Sequence, residues 1–253
     1  RRDFAAAESW YHRSLEIEEK LGDEHGAAST YHQLGIVAQE RRDFAAAESW
    51  YHRSLEIEEK LGDEHSATMT YHQLGMVAEE RRDFAAAESW YRRSLEIKEK
   101  LGNEHGAAIT YHQLGMVAQE RRDFPAAETW YRRSLPIWEK LGDEHGAAST
   151  CGQLGILAEL QGRFEDSGTW LIKSILAFRL THDQQGVEQG MRNFLILYRR
   201  APEPLFPRLR AMWEDAGLGA FPEDQVPPAT VADGGSNSQA EGDPHGQHDR
   251  PTE

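Results

Sequence analysis

The chain is poor in most of the features on which site chemistry is built. It has one cysteine, Cys151, which excludes an internal disulfide and any zinc site made of paired thiolates. That usage fits a reducing compartment, and a cytoplasmic location is expected. No apolar run approaches the roughly 18–20 residues of a membrane span, and the opening "RRDFAAAESW" lacks the apolar centre of a secretory signal. Neither a membrane nor an export route is expected. Positive charge is scarce: 28 Lys and Arg stand against 43 Asp and Glu, a formal net charge of -15. Phosphate-backbone binding relies on clustered Lys and Arg, so a nucleic-acid partner is not expected. No Gly-rich phosphate loop, no His-Glu-x-x-His pair and no serine in a nucleophile elbow occurs. The chain is therefore read as non-enzymatic, with no cofactor implied.

What the chain does have is self-similarity. "RRDFAAAESWY" begins at 1, 41 and 81, and "RRDFPAAETWY" at 121, a period of 40 residues without a slip. Each unit reads as two helices. In the first, Ala27, Tyr31, Leu34, Val37 and Ala38 form one apolar face. Gly22 suits the left-handed end of the preceding helix, and Asp23 suits an N-cap. After the turn "RRD", Asp43 caps a second helix carrying Phe44, Ala47, Trp50, Tyr51, Ser54, Leu55 and Ile57, which stops at Leu61-Gly62. Gly35, Ala38 and Ala47 are small enough for the helix backbones to approach closely. A lone helix pair cannot bury both of its faces, so the pairs stack into a solenoid of nearest-neighbour contacts.

The pattern Tyr31-x-x-Leu34-Gly35-x-x-Ala38, followed by Phe44, Ala47, Tyr51 and Ser54, resembles the tetratricopeptide repeat signature. Tyr replaces the usual leading Trp, Arg42 stands where a turn glycine is usual, and "EEKLGDEHG" replaces the terminal proline. The lengthened unit resembles the long-repeat subgroup of kinesin light chains, Leu-Gly-Asn scaffolds and sensor arrays of bacterial signal-transducing ATPases. The resemblance covers about residues 1–200 and implies an all-α, right-handed solenoid.

The expected organisation is a second helix of an incomplete repeat at 1–22, then helix pairs at 23–62, 63–102, 103–142 and 143–182. A capping helix and a short C-terminal helix follow at 183–221, and a disordered acidic tail at 222–253. The sequence opens inside a repeat, so it is expected to be a fragment. The uncovered apolar face of its first helix is an expected route to self-association.

In a solenoid of this kind the first helices line the concave surface. By register the groove residues are then Ser29, His32, Gln33, Ile36, Gln39 and Glu40. Their counterparts are His72, Gln73, Met76, Glu79 and Glu80, then His112, Gln113, Met116, Gln119 and Glu120, then Gln153 and Ile156. A glutamine column can donate to and accept from an extended backbone, and an Ile/Met column offers adaptable apolar contact. In the long-repeat relatives an Asn at the position of Gln33 contacts bound peptide, so the resemblance implies a protein or peptide partner in this groove. The glutamates suggest a partner of some basic character.

A metal on the histidine column is not expected. Stacked helices lie about 8–10 Å apart, whereas zinc needs ring nitrogens within about 2.1 Å. Cys151 takes the place of a core tyrosine and reads as a small buried residue. Two further readings of the array are the sensor or oligomerisation arm of a larger signalling ATPase and a self-assembling structural array.

Overall fold

The computed structural model describes residues 3–221; the expected disordered tail, 222–253, lies outside the described residues. The described residues form eleven α-helices and one 3-10 turn, with no strand among them. In chain order the helices are α1 (Phe4–Leu21), α2 (Glu24–Glu40), α3 (Phe44–Leu61), α4 (Glu64–Glu80), α5 (Phe84–Lys100) and α6 (Glu104–Glu120). They continue as α7 (Phe124–Leu141), α8 (Glu144–Leu160), α9 (Phe164–Leu180), α10 (Gln184–Arg200) and α11 (Phe206–Asp215). The fold is a right-handed solenoid of antiparallel helix pairs.

Local chemistry sets the helix ends. Asp23, Asp43, Asp63 and Asp83 each accept a hydrogen bond from the backbone N–H three residues on, which satisfies one of the open donors of the first turn. Gly22, Gly62 and Gly142 end their helices at φ of 67 to 69°. In the tighter turn inside each pair, Arg42, Arg82 and Arg122 take φ of 60 to 62°, and Gly162 fills the same register at 74°. The arginines therefore sit in a left-handed conformation that suits glycine.

Packing inside each pair is close. Tyr51, Tyr91 and Tyr131 are fully buried, and each ring lies over a glycine of the partner helix: Gly35, Gly75 and Gly115. Within the same pairs, Trp50 stacks on Tyr31, Trp90 on Tyr71 and Trp130 on Tyr111, with ring centroids 5.7 to 5.9 Å apart. A ladder of ion pairs, Arg41 to Glu8, Arg81 to Glu48 and Arg121 to Glu88, links successive units on the exposed side, where each adds little stability. At the C-terminal end Phe194, Leu197, Leu209, Trp213 and Phe221 close the core with large side chains.

Two residues depart from the apolar periodicity of the second helices. Glu58 is 3% and Lys98 is 8% exposed, and both lie at the same register, forty residues apart.

Candidate partner-binding groove

Consecutive first helices touch directly. His32 on α2 is bonded to Thr70 on α4, Gln39 to Glu80, and His112 on α6 to Thr150 on α8. Shallow cavities follow these junctions in two lanes. In the lane nearer the helix C-termini, one cavity of about 430 Å³ brings together Ile36, Gln39, Glu40, Gln73, Met76 and Glu80. The next, of about 330 Å³, brings together Glu79, Met116, Gln119, Glu120 and Gln153, with Arg82 at its edge.

In the other lane a notch of about 260 Å³ between α2 and α4 is lined by His32 and Gln33. A second of about 260 Å³, between α6 and α8, is lined by His112 and Gln113, and one of about 380 Å³, between α8 and α10, by Gln153 and Ile156. Of the residues assigned to the groove from register, His72 alone lines none of these cavities.

Many of these polar groups are held by the protein itself. Gln39 accepts from the Tyr51 hydroxyl at 3.0 Å and donates to Glu80 at 2.8 Å, and Glu79 accepts from the Tyr91 hydroxyl at 2.9 Å. Tyr11 donates to Gln33 at 3.5 Å. Arg82 pairs with Glu120 at 3.4 Å. The histidines are half-buried rather than freely presented. Burial holds the His32 imidazole below its ordinary pKa and pushes His72 and His112 down to about 4, with the Lys98 charge a second cause at His72. Among the described residues no group of three or more His, Cys, Asp or Glu is placed to hold a metal ion. Cys151 is buried, and burial pushes its thiol up to about 11.

The register of Glu58 and Lys98 runs beneath the second lane, where Glu58, Trp138 and Phe178 line the notches, and periodicity did not single it out. Its occupants are Glu18, Glu58, Lys98, Trp138 and Phe178. Glu58 Oε1 lies 2.8 Å from the Ser54 hydroxyl and accepts from the Thr70 hydroxyl at 3.1 Å. Thr70 gives its only proton to that carboxylate, so the His32 contact at 2.9 Å has His32 Nδ1–H donating. One unit on, Lys98 donates to Thr110 at 2.8 Å, and Thr110 in turn donates to the Gly106 carbonyl at 3.0 Å. Lys98 thus occupies the hydroxyl that a histidine would use, and His72 Nδ1 has no partner within the protein. Burial pulls the Lys98 ammonium down to about 8 and raises the Glu58 carboxyl.

At the notch between α6 and α8 the aromatic ring of Trp138 fits because residue 146 is glycine, where an added Cβ would meet the indole at 2.6 Å. Buried polar atoms without a protein partner gather on this lane: Glu18 Oε2, Glu58 Oε2, His72 Nδ1, Gln113 Oε1 and Trp138 Nε1. The signal in the sequence was the change of residue type at one register of otherwise near-copied units.

The tetratricopeptide repeat family model matches residues 1–60, 26–100 and 106–175. No curated protein matched the chain. Several solved structures share the fold. BtubC from P. vanneervenii is 19% identical with a TM-score of 0.70, the match covering 95% of this chain and all of that one. A signal transduction ATPase with a tetratricopeptide repeat sensor from Pyrococcus horikoshii is 15% identical with a TM-score of 0.68; 81% of this chain is covered, but only 32% of that protein. A putative kinesin light chain with nearly identical repeats from Podosopora anserina is 15% identical with a TM-score of 0.60, covering 75% and 93% of the two chains. With three family matches that together span most of its length, the chain belongs to the tetratricopeptide repeat family.

Proposed function

We propose that this chain is a non-catalytic scaffold whose concave groove binds an extended segment of a partner protein. Tetratricopeptide repeat proteins generally mediate protein–protein interaction. The observation that carries the reading is the convergence of side chains 40 residues apart into two lanes of cavities along the first helices. Amide groups at Gln33, Gln73, Gln113 and Gln153 recur at a spacing that suits main-chain hydrogen bonds, and Met76, Met116 and Ile156 supply apolar contact beside them. The test is affinity capture with two baits, the native chain and a Gln33→Ala, Gln73→Ala, Gln113→Ala variant of equal helicity. A partner held by the first and lost by the second supports the groove; identical capture by both baits removes it.

Self-association through α1 is a second reading, favoured by the 66% exposure of Trp10, whose counterparts Trp50 and Trp90 stack on Tyr31 and Tyr71. Light scattering over a concentration series tests it, because a constant mass removes it.

A further inference from the structure

The floor of the second lane changes its chemistry from notch to notch, and the change has a direction. The first notch, between α2 and α4, holds two carboxylates, Glu58 and Asp63, together with the polar groups of Ser29, Gln33 and Ser66. Glu58 is almost completely buried, and its Oε2 has no partner within the protein. Met69 and Leu61 line the same notch with apolar surface. A histidine and a lysine lie near, and neither pairs with Glu58. His25 sits 4.0 Å from Asp63, and Lys60 is turned outward to Glu24. His32 donates as a neutral ring, held so by burial.

At the next floor position stands a cation, Lys98. At the third stands Trp138, in a notch that also holds Ile109 and Gln113, where the indole N–H and the Gln113 carbonyl oxygen are an unpartnered donor and acceptor. Phe178 continues the aromatic floor into the notch between α8 and α10, which is roomier because Gly152 replaces the histidine of the earlier units.

We propose that the groove reads its partner in a fixed order: a lysine or arginine side chain enters the Glu58 notch, and an apolar side chain about six residues away enters the Trp138 notch. This rests on the groove reading above and specifies it. The spacing follows from geometry. Adjacent helices in contact lie about 8–10 Å apart, and an extended chain advances about 3.3 Å per residue, so one notch corresponds to about three residues. A long aliphatic stem ending in a cation matches the first notch: the stem lies on Met69 and Leu61, and the head group supplies the donor that Glu58 Oε2 lacks. At the Trp138 notch the partner's peptide group accepts from Trp138 Nε1–H and donates to Gln113 Oε1, while its side chain covers the indole. Lys98, between them, excludes a cation at the middle position, so the order is enforced by repulsion as well as by attraction.

The test uses the whole chain and labelled twelve-residue peptides of Ser, Thr, Gln and Asn carrying one Lys and one Phe, separated by three, six or nine residues in both orders, with binding read by fluorescence anisotropy. Tightest binding is expected at a separation of six in one of the two orders. Replacing the peptide Lys by norleucine should weaken binding about tenfold to a hundredfold in the native chain, the range for a charge-assisted hydrogen bond, and hardly at all in Glu58→Gln. That variant keeps an acceptor for Ser54 and Thr70, and circular dichroism checks its fold. Trp138→Phe, which removes only the N–H and part of the ring, should weaken every Phe-bearing peptide and leave the Lys preference intact.

Affinity independent of separation, or a Lys preference that survives Glu58→Gln, overturns the ordered reading. If such binding is still lost in the triple Gln variant, the groove itself stands and only the order falls. Absence of binding by every peptide also overturns the order, and the capture experiment then decides the groove separately.

Discussion

Gly75→Ala should be a costly substitution although it adds a single methyl group and replaces a poor helix former by the best one. A Cβ built at Gly75 would lie 2.5 Å from Tyr91 Cε1 and 2.6 Å from Cδ1. Non-bonded carbons settle at about 3.5–4.0 Å, so the two helices must part, or the ring must shift, by about 1 Å. The ring has nowhere to go, since Tyr91 is fully buried and its hydroxyl is bonded to Glu79 at 2.9 Å. Over-packing of a filled core costs about 1–3 kcal/mol, and the helix-propensity gain of Ala over Gly returns about 1 kcal/mol. The difference is a net loss centred on about 1 kcal/mol and reaching about 2 kcal/mol, read as a lower urea midpoint at 222 nm with the slope unchanged. The decisive measurement is a double-mutant cycle. In a Tyr91→Ala background the obstacle is gone, and Gly75→Ala should turn stabilising by about 0.5–1 kcal/mol from propensity alone. If Gly75→Ala is neutral with Tyr91 present, or costs the same without it, close approach of α4 and α5 is not what that glycine serves.

Three further outcomes follow from the same geometry. Arg82→Gly should stabilise by about 0.5–1 kcal/mol in thermal or urea unfolding, because Arg82 sits at φ 61° and its exposed pair with Glu120 adds little. His72 and His112 have folded pKa values of about 4 against an ordinary 6.5, so the unfolded chain binds more protons between those limits. Stability present above pH 6.5 is therefore lost as pH falls towards 4, by roughly 3 kcal/mol for each ring, and His112→Asn should remove about half of that pH dependence. For Lys98 the folded pKa is about 8 against an ordinary 10.5, so again the unfolded state holds the extra proton, now between pH 8 and 10.5. The stability advantage of Lys98→Met over the native chain, roughly 3 kcal/mol at pH 7, should shrink as pH rises through that window; an advantage that does not change with pH would falsify the burial of a charged amine.

Most of the architecture could be read from the period. A 40-residue repeat without a slip, with Asp caps and an Ala-Tyr-Leu-Ala face, leaves little choice about helix boundaries, and Asp43 and Gly62 terminate helices as expected. Arg42 looked like a departure from a turn glycine and proves to hold the glycine's conformation. The same period picks out the residues opposite the buried face, and all of those named except His72 line the cavities along the first helices. Burial at Glu58 and Lys98 was not legible. A Glu or Lys followed by two further charged residues reads as surface, and what buries it, Ser54 and Thr70 or Thr110, comes partly from a neighbouring unit. The half-burial of the histidines was missed for the same reason, because their partners stand 38 residues away.

The way one floor residue sets its neighbour's protonation can be tested by exchanging one notch for another. Lys98→Glu places a carboxylate where Ser94 and Thr110 already repeat the Ser54 and Thr70 of the first notch. Thr110 now spends its proton on the Gly106 carbonyl and accepts from Lys98. With a carboxylate beside it, Thr110 should instead donate to the new acceptor, as Thr70 does to Glu58, and its lone pair should become free for His72. His72 Nδ1 would then gain the hydrogen bond that His32 already has, and the repelling Lys98 charge, the lesser cause of its low pKa, would be gone. Both changes favour the protonated ring, so the His72 pKa should climb from about 4 towards the ordinary histidine range, by about one unit or more for a charge reversal at hydrogen-bonding range. An NMR titration of the ring protons measures it directly, with His112, two helices further on, as the internal reference that should stay near 4. A His72 pKa that does not move would mean that desolvation alone sets it, and that the floor residue does not control the notch above it.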